Sequence, residues 1–355
     1  MTNTVRIVAE GGAEVFGLTP AARLRRQLAR LGLEETAAGA LALRGDHVFT
    51  NDVLGALAKA APGTVLAGPD GRAIAEVGAT EAAAAGAEAP ASIGPDALVA
   101  PEDAALRKRA IPVARPARTA AEAAAAERAL FAASYKGATD VLTKHVWPAP
   151  ALVATRWCAR RGLSPNQVTA ASAVLMLAAF WLFWEGWLLA GLLVGYAMVF
   201  LDTVDGKLAR VTLTYSKFGD VFDHGIDLVH PPFWWWAWAV GCGAVGQPLD
   251  DGGWTLGLIV GGYVLQRAEE GWFIARFGIE MHVWRRFDSL FRQITARRNP
   301  NLLILTASVL LGAPREGLIA VAAWVVLCLL VHLVRIVQAH ASVGPVQSWL
   351  AEPLA

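Results

Sequence analysis

The chain has 355 residues, 55% of them hydrophobic and 17% charged, with positive mean hydropathy and a net charge of +1, so no global field draws it to nucleic acid. Its three cysteines, Cys158, Cys242 and Cys328, lie far apart and form neither a CxxC pair nor a disulfide framework, so they read as apolar packing residues. The opening MTNTVRIVAEGG lacks the basic start and apolar core of a secretory leader, which predicts a cytoplasmic N-terminal region.

These averages conceal a division. The first 160 residues are Ala-rich and charged, without a long apolar run, whereas the rest carries repeated apolar segments and most of the 14 Trp. The expected architecture is mainly α, a six-helix integral membrane domain over 164–341 preceded by a small cytoplasmic α/β domain over 1–100. Between them, 101–135 reads as an Ala/Pro-rich linker and 136–163 as an interfacial amphipathic segment.

In the first domain, Val5 to Ala9 reads as a strand, Pro20 to Leu31 as an amphipathic basic helix, and Ala40 to Thr50 as a strand ending in a turn. Asp52 to Ala61 suits a second helix, and Gly63 to Val77 a pair of strands around Pro69-Asp70-Gly71. This alternation predicts a parallel or mixed sheet. The low-complexity stretch that follows turns helical from Thr119. From Lys136 to Gly162, Lys136, Lys144, Arg156, Arg160 and Arg161 are mixed with Val, Leu and Trp, a pattern expected to lie along a membrane surface.

Ser164 caps a helix whose first position is Pro165, and six spans follow at about 166–184, 188–209, 219–244, 254–277, 300–313 and 316–338. The segments before 166, between 209 and 219 and between 277 and 300 hold ten arginines and lysines, from Arg156 to Arg298, while the opposite loops hold little beyond Asp250, Asp251 and Arg315. The excess of positive charge places both termini on the cytoplasmic side of a multi-pass protein of the cell membrane.

The most informative stretch is 202–227, DTVDGKLARVTLTYSKFGDVFDHGID. It sets Asp202, Asp205, Asp223 and Asp227 within sequence apolar enough for a bilayer, where each charge costs roughly 2.5–3.5 kcal/mol on insertion scales and marks a functional cavity. Asp202, Asp205 and Ala209 share one helix face, and Asp223 and Asp227 share another. Four carboxylates aimed at one point repel unless cations lie between them, and an all-oxygen set suits two Mg²⁺ or Mn²⁺ ions, the clamp used for phosphoryl-type displacement. Gly206 and Ala209 keep the face bare for a polyphosphate, and Arg210 offers a fork suited to phosphate. The plainer reading of the same acids is an ion-pair network between helices.

On the third span His230 shares the face of Asp223 and Asp227, Pro231 and Pro232 predict a kink, and FWWWAW (233–238) reads as lipid-facing aromatic bulk. On the fourth span Tyr263, Arg267 and Glu270 fall on one face with Gln266 and Glu269 beside them, either as an internal Arg267–Glu270 bridge or as an acceptor-binding wall. The basic run MHVWRRFDSLFRQITARRNPN follows and reads mostly as interfacial.

The pattern D-x2-D-G-x2-A-R-x8-G-x3-D-x3-D, carried by Asp202, Asp205, Gly206, Ala209, Arg210, Gly219, Asp223 and Asp227, resembles the signature of the CDP-alcohol phosphotransferase family of integral membrane enzymes. The resemblance implies that the four aspartates hold the metals, that Asp227 is the general base, and that Asp202, Asp205, Gly206, Ala209, Arg210 and Gly219 bind the CDP moiety. It implies release of CMP in phospholipid biosynthesis, from a CDP-linked donor such as CDP-diacylglycerol to a small polyol or polyol-phosphate acceptor, by a homodimer. A stretch similar to Ser164-Pro165-Asn166 with Thr169 opens the first membrane helix in the family, which sets Asn166 and Thr169 against the substrate cavity as an alternative to plain capping. Residues 136–162 resemble the juxtamembrane segment of inositol-phosphate-using members, in which arginines of later helices receive the acceptor phosphate, making Arg297 and Arg298 candidates beside His230 and Arg267.

The first hundred residues resemble the sugar-phosphate nucleotidyltransferase fold, with Gly45-Asp46 where those enzymes keep a metal-binding Asp. A G-x-G-T-R loop is missing after the first strand and the domain is about half the expected length, so it reads as a degenerate, noncatalytic remnant with Gly45-Asp46 as a turn. Two other functions fit the same residues. One is a phosphodiester synthase using CDP-inositol and inositol phosphate; the other is a cation or proton transporter, which has no need of Gly206, Ala209 and Arg210 at these spacings.

Overall fold

The computed structural model describes residues 3–78, 81–87, 92–215 and 217–352; the side chains of Glu81, Lys217, Phe218, Asp220, Asp223 and His224 lie outside that description. Two compact units emerge. One comprises Met1–Tyr135, Leu152–Ser164 and Lys207–Thr214, the other Lys136–Ala151, Pro165–Gly206 and Tyr215–Ala355.

The first unit begins with β1 (Thr4–Val8) and α1 (Pro20–Leu31). The helix starts where its chemistry dictates, since Thr19 Oγ1 accepts the Ala22 N–H at 3.3 Å and Pro20 opens the first turn, and it ends at Gly32 with φ 68°. There follow β2 (Glu34–Glu35), β3 (Leu41–Arg44), β4 (His47–Phe49), α2 (Asn51–Leu57), β5 (Val65–Ala67), β6 (Ala73–Val77), α3 (Glu81–Ala85) and α4 (Pro95–Leu98). Five strands form a mixed sheet in the order β2-β1-β3-β6-β5, with β1 parallel to β2 and β3 and β6 antiparallel to β3 and β5. Leu24 and Leu28 of α1 join Leu41, Leu43, Val53 and Ile74 in one core, each contributing about 1.5–3 kcal/mol relative to exposure.

Gly45 and Asp46 form the turn between β3 and β4. Residues 101–135, expected as a linker, add β7 (Glu102–Asp103), β8 (Lys108–Arg109), β9 (Ala114–Pro116) and α5 (Ala120–Ala133); β9 pairs antiparallel with β4, and Thr119 caps α5.

A short π-helical segment (Leu142–Val146) precedes α6 (Pro148–Arg160), and six longer elements follow: α7 (Pro165–Trp184), α8 (Leu188–Thr212), α9 (Lys217–Ala244), α10 (Trp254–Phe277), α12 (Arg298–Leu310) and α13 (Pro314–His340), with α11 (Arg286–Phe291) before α12. Within the second unit α7 packs on α9, and α13 on α10 and α12.

Six spans were expected, but among the described residues only α7, α8 and α13 are long and apolar enough to cross a membrane by length and composition. The shortfall has physical causes. Helix α10 carries Arg267, Glu269, Glu270 and Arg276, and α9, though continuous, carries Asp227, His230, Pro231 and Pro232 within its length. The 13 residues of α12 rise only about 20 Å against a hydrocarbon core of about 30 Å.

The aromatic run of α9 also differs from its lipid-facing expectation. Trp234, Trp235 and Trp238 are buried, and only Phe233 and Trp236 are exposed. The burial is directed by hydrogen bonding as well as apolar contact, because Trp234 Nε1 donates to Met176 O at 3.0 Å and Trp238 Nε1 to Pro314 O at 3.1 Å.

Candidate active site

Helix α8 carries Asp202, Asp205 and Gly206 in the second unit, and continues through Ala209 and Arg210 where it belongs to the first. Asp205 is only 2% exposed; Thr169 of α7 donates to its Oδ2 at 2.6 Å, and its Oδ1 is buried with no hydrogen-bond partner. A charged oxygen in that state is costly unless a cation approaches it. Asp202 and Asp227 are joined by a single guanidinium from α12, with Arg298 Nη2 donating to Asp202 Oδ2 at 2.7 Å and Nη1 to Asp227 Oδ1 at 2.5 Å. Asp227 is the more open of the two, its side chain 43% exposed against 16% for Asp202. Asp223 sits one helical turn before Asp227, and its side chain lies outside the described residues.

An ion-pair network between helices is therefore present, and among the described residues Arg298 joins Asp202 and Asp227 in it. Among the described residues no group satisfies the second, buried oxygen of Asp205. An all-carboxylate set with an orphaned buried oxygen fits a hard divalent cation, for which Mg²⁺ and Mn²⁺ are the matching class.

Residues 163–279 match the family model described as CDP-alcohol phosphatidyltransferase. The chain carries a domain of this family. Among curated proteins, an archaetidylinositol phosphate synthase of Pyrococcus horikoshii is 39% identical over 67 residues, which is 19% of this chain and 35% of that protein. The matched stretch thus spans about a third of the relative's length.

The other residues expected in the CDP-alcohol phosphatidyltransferase domain divide by what they touch. Thr169 joins the acid cluster directly, whereas Asn166 is exposed on the first turn of α7 and Gly219 lies partly buried in the first turn of α9. His230 is buried, donates from Nδ1 to Ile226 O at 2.7 Å, packs edge-on against Trp234, and leaves Nε2 without a partner. Arg267 donates to Glu270 Oε1 at 3.3 Å, the internal bridge expected from spacing, and Arg297 donates to the same oxygen. Arg297 and Arg298 lie beyond the matched residues.

Sequence reasoning named Arg298 for an acceptor phosphate and did not see it as the clasp of Asp202 and Asp227, because the partners are 96 and 71 positions away. A second polar contact went unread. Asn299 Nδ2 donates to Asp140 Oδ1 at 2.8 Å, and Asp140 also accepts the Thr143 N–H and hydroxyl at 3.0 and 2.8 Å. Burial opposes the Asp140 charge, yet these donors hold its carboxyl below the ordinary range.

Beside the acids, α7 and α9 enclose an apolar groove of about 620 Å³ lined by Met176, Phe180, Ile226, Val229, Phe233 and His230. Its walls offer almost no polar atoms, which suits hydrocarbon.

Proposed function

We propose that the chain is a membrane transferase that moves a substituted phosphate from a CDP-linked lipid, of the CDP-diacylglycerol kind, to a hydroxyl of a small polyol or polyol phosphate, releasing CMP. The observation that carries this reading is the carboxylate cluster of α8 and α9, in which Asp205 Oδ1 is buried and unsatisfied while Asp227 remains open. Family membership supports the donor class, and the adjoining apolar groove supports a lipid donor. The name of the Pyrococcus horikoshii relative, an archaetidylinositol phosphate synthase, favours inositol phosphate among the acceptors.

In this reading Asp227 accepts the proton of the acceptor hydroxyl, whose oxygen attacks the β-phosphorus of the donor. The bond from that phosphorus to the CMP oxygen breaks, and CMP leaves. Asp202, Asp205, Asp223 and Asp227 would hold two Mg²⁺ or Mn²⁺ ions, which when bound supply positive charge to the donor phosphates and to departing CMP. Asp202 and Asp205 with Gly206 and, one turn on, Ala209 and Arg210 are assigned to the donor nucleotide, with Gly219 from α9. Thr169 holds Asp205 in orientation, and Arg298 holds Asp202 and Asp227. Asn166, His230, Arg267 and Arg297 are assigned to substrate.

The distribution of arginine and lysine supports a multi-pass chain with the acid cluster and the first unit on the cytoplasmic side, and the family supports a homodimer. The test is CMP release by purified protein with Mg²⁺ or Mn²⁺ and CDP-diacylglycerol, across glycerol phosphate, inositol phosphate, serine and inositol. Release that requires one acceptor and disappears in Asp227→Asn is expected. Turnover only with CDP-inositol would assign the phosphodiester synthase instead, and ion flux without CMP release would assign a transporter.

A further inference from the structure

A second polar cluster of the same unit lies on α10, on the turn Met281–Val283 and on α13. Glu270, His282 and His332 bring one ligand atom each within 4.8 Å of one another. His332 is 1% exposed, and neither of its ring nitrogens has a hydrogen-bond partner. Glu269 Oε2 is likewise buried and unpartnered, although it stands 3.3 Å from His332 Nδ1. An imidazole and a carboxylate at that distance without a hydrogen bond are both directed at something other than each other.

The separations fit a metal. Bonds of about 2.0–2.1 Å in a tetrahedron place neighbouring ligand atoms roughly 3.3–3.4 Å apart. His282 Nε2 lies 3.1 Å from Glu270 Oε1, close to that edge length, and a ring nitrogen of His332 is within 4.8 Å of a ligand atom of each. The helices that carry the ligands are held closely: a Cβ on Gly262 of α10 would fall 2.2 Å from Val325 Cγ1 of α13. Glu269 and His332 each come seven residues after those two positions, two turns further along their helices (269 − 262 and 332 − 325).

Electrostatics select the kind of ion. Glu270 Oε1 already receives Arg267 and Arg297, so much of its charge is offset and a hard ion held by charge alone is disfavoured. Two imidazole nitrogens instead suit a borderline ion. We propose that Glu270, His282 and His332 form a structural site for one divalent ion of the zinc class, with a water completing four-coordination, joining α10, the Met281–Val283 turn and α13. None of its ligands is among the aspartates assigned to the transferase metals.

The test uses the full chain in detergent, stripped of ions by chelator and titrated with Co²⁺ while excess Mg²⁺ occupies hard-ion sites. One equivalent of Co²⁺ with the intense visible absorption of a four-coordinate site is expected, displaced by Zn²⁺, and unchanged in Asp205→Asn. His332→Gln and His282→Gln should each weaken binding by about tenfold or more, and Zn²⁺ should raise the thermal midpoint of the wild-type protein in the presence of Mg²⁺. Only weak six-coordinate absorption, no thermal shift with Zn²⁺, or wild-type binding in both variants would overturn the proposal.

Discussion

A single hydroxyl decides how Asp205 is presented. Thr169 donates to one oxygen of that carboxylate and leaves the other buried and unpaired, which orients the pair towards a cation. Partners of this kind typically change metal affinity by about 10–100-fold when removed. Thr169→Val should therefore raise the Mg²⁺ concentration needed for half-maximal CMP release by about that factor at unchanged saturating rate, and Thr169→Ser should restore it. Arg298 sets a different expectation, since it is buried between Asp202 and the more open Asp227, and losing its charged hydrogen bonds costs about 1.5–3 kcal/mol. Arg298→Ala should lower the thermal midpoint in chelator, and millimolar Mn²⁺ should recover most of the loss because it supplies the same counter-charge to Asp202 and Asp227; a deficit insensitive to Mn²⁺ would count against cation binding there. Of these residues, Asp202, Asp205 and Asp227 were legible because helical spacing alone puts them on common faces. Glu270, His282 and His332 were not read as a group, because their convergence rests on the packing of three separate elements and leaves no trace in local spacing.

At the scale of elements, helix starts and stops were written plainly where a cap does the work. Pro20–Leu31 starts at its Thr19 cap, and both it and Trp254–Phe277 end at a left-handed glycine, Gly32 and Gly278. The Trp run on α9 was misread because its composition resembles a membrane belt while its fate depends on which neighbours cover each face. The same helix shows how its prolines are accommodated. Pro232 has no N–H to give Leu228 O, and Tyr263 of α10 donates its hydroxyl to that carbonyl at 3.1 Å. Tyr263→Phe should cost about 0.5–1.5 kcal/mol in an otherwise unchanged chain. In a Pro232→Ala background, where the backbone N–H returns, the same change should cost less, and a double-mutant cycle in denaturant would measure the difference. Additive effects would mean that the tyrosine is not compensating for the proline.

At the scale of the molecule, the division into two units separates a mixed-sheet domain from a helical one, and α8 passes from one into the other. The first unit holds the end of that helix: Arg23 and Arg26 of α1 donate to the carbonyls of Val211 and Thr212, the latter at 3.1 Å, groups that the last helical turn leaves without an internal partner. A composition-based reading could assign α/β character to this unit but not this contact, which spans 188 positions in the case of Arg23. Stability of the first unit should depend on pH through Asp46. Burial disfavours its charge, but His47 Nδ1 at 2.6 Å and Arg44 through two bonds at 3.0 and 2.7 Å hold the carboxyl well below the ordinary range. A depressed folded pKa means that the unfolded chain binds the proton first, so this stabilisation is complete above about pH 4 and is lost as the pH falls through the folded value. Asp46→Asn should remove about 1.5–3 kcal/mol at neutral pH and flatten the acid limb. Pepsin cleavage within residues 1–135, mapped by mass spectrometry below pH 4, would follow it. The wild-type unit should open progressively as acidity increases, while the variant, already lacking the charge, should show a cleavage rate that changes much less across the same interval.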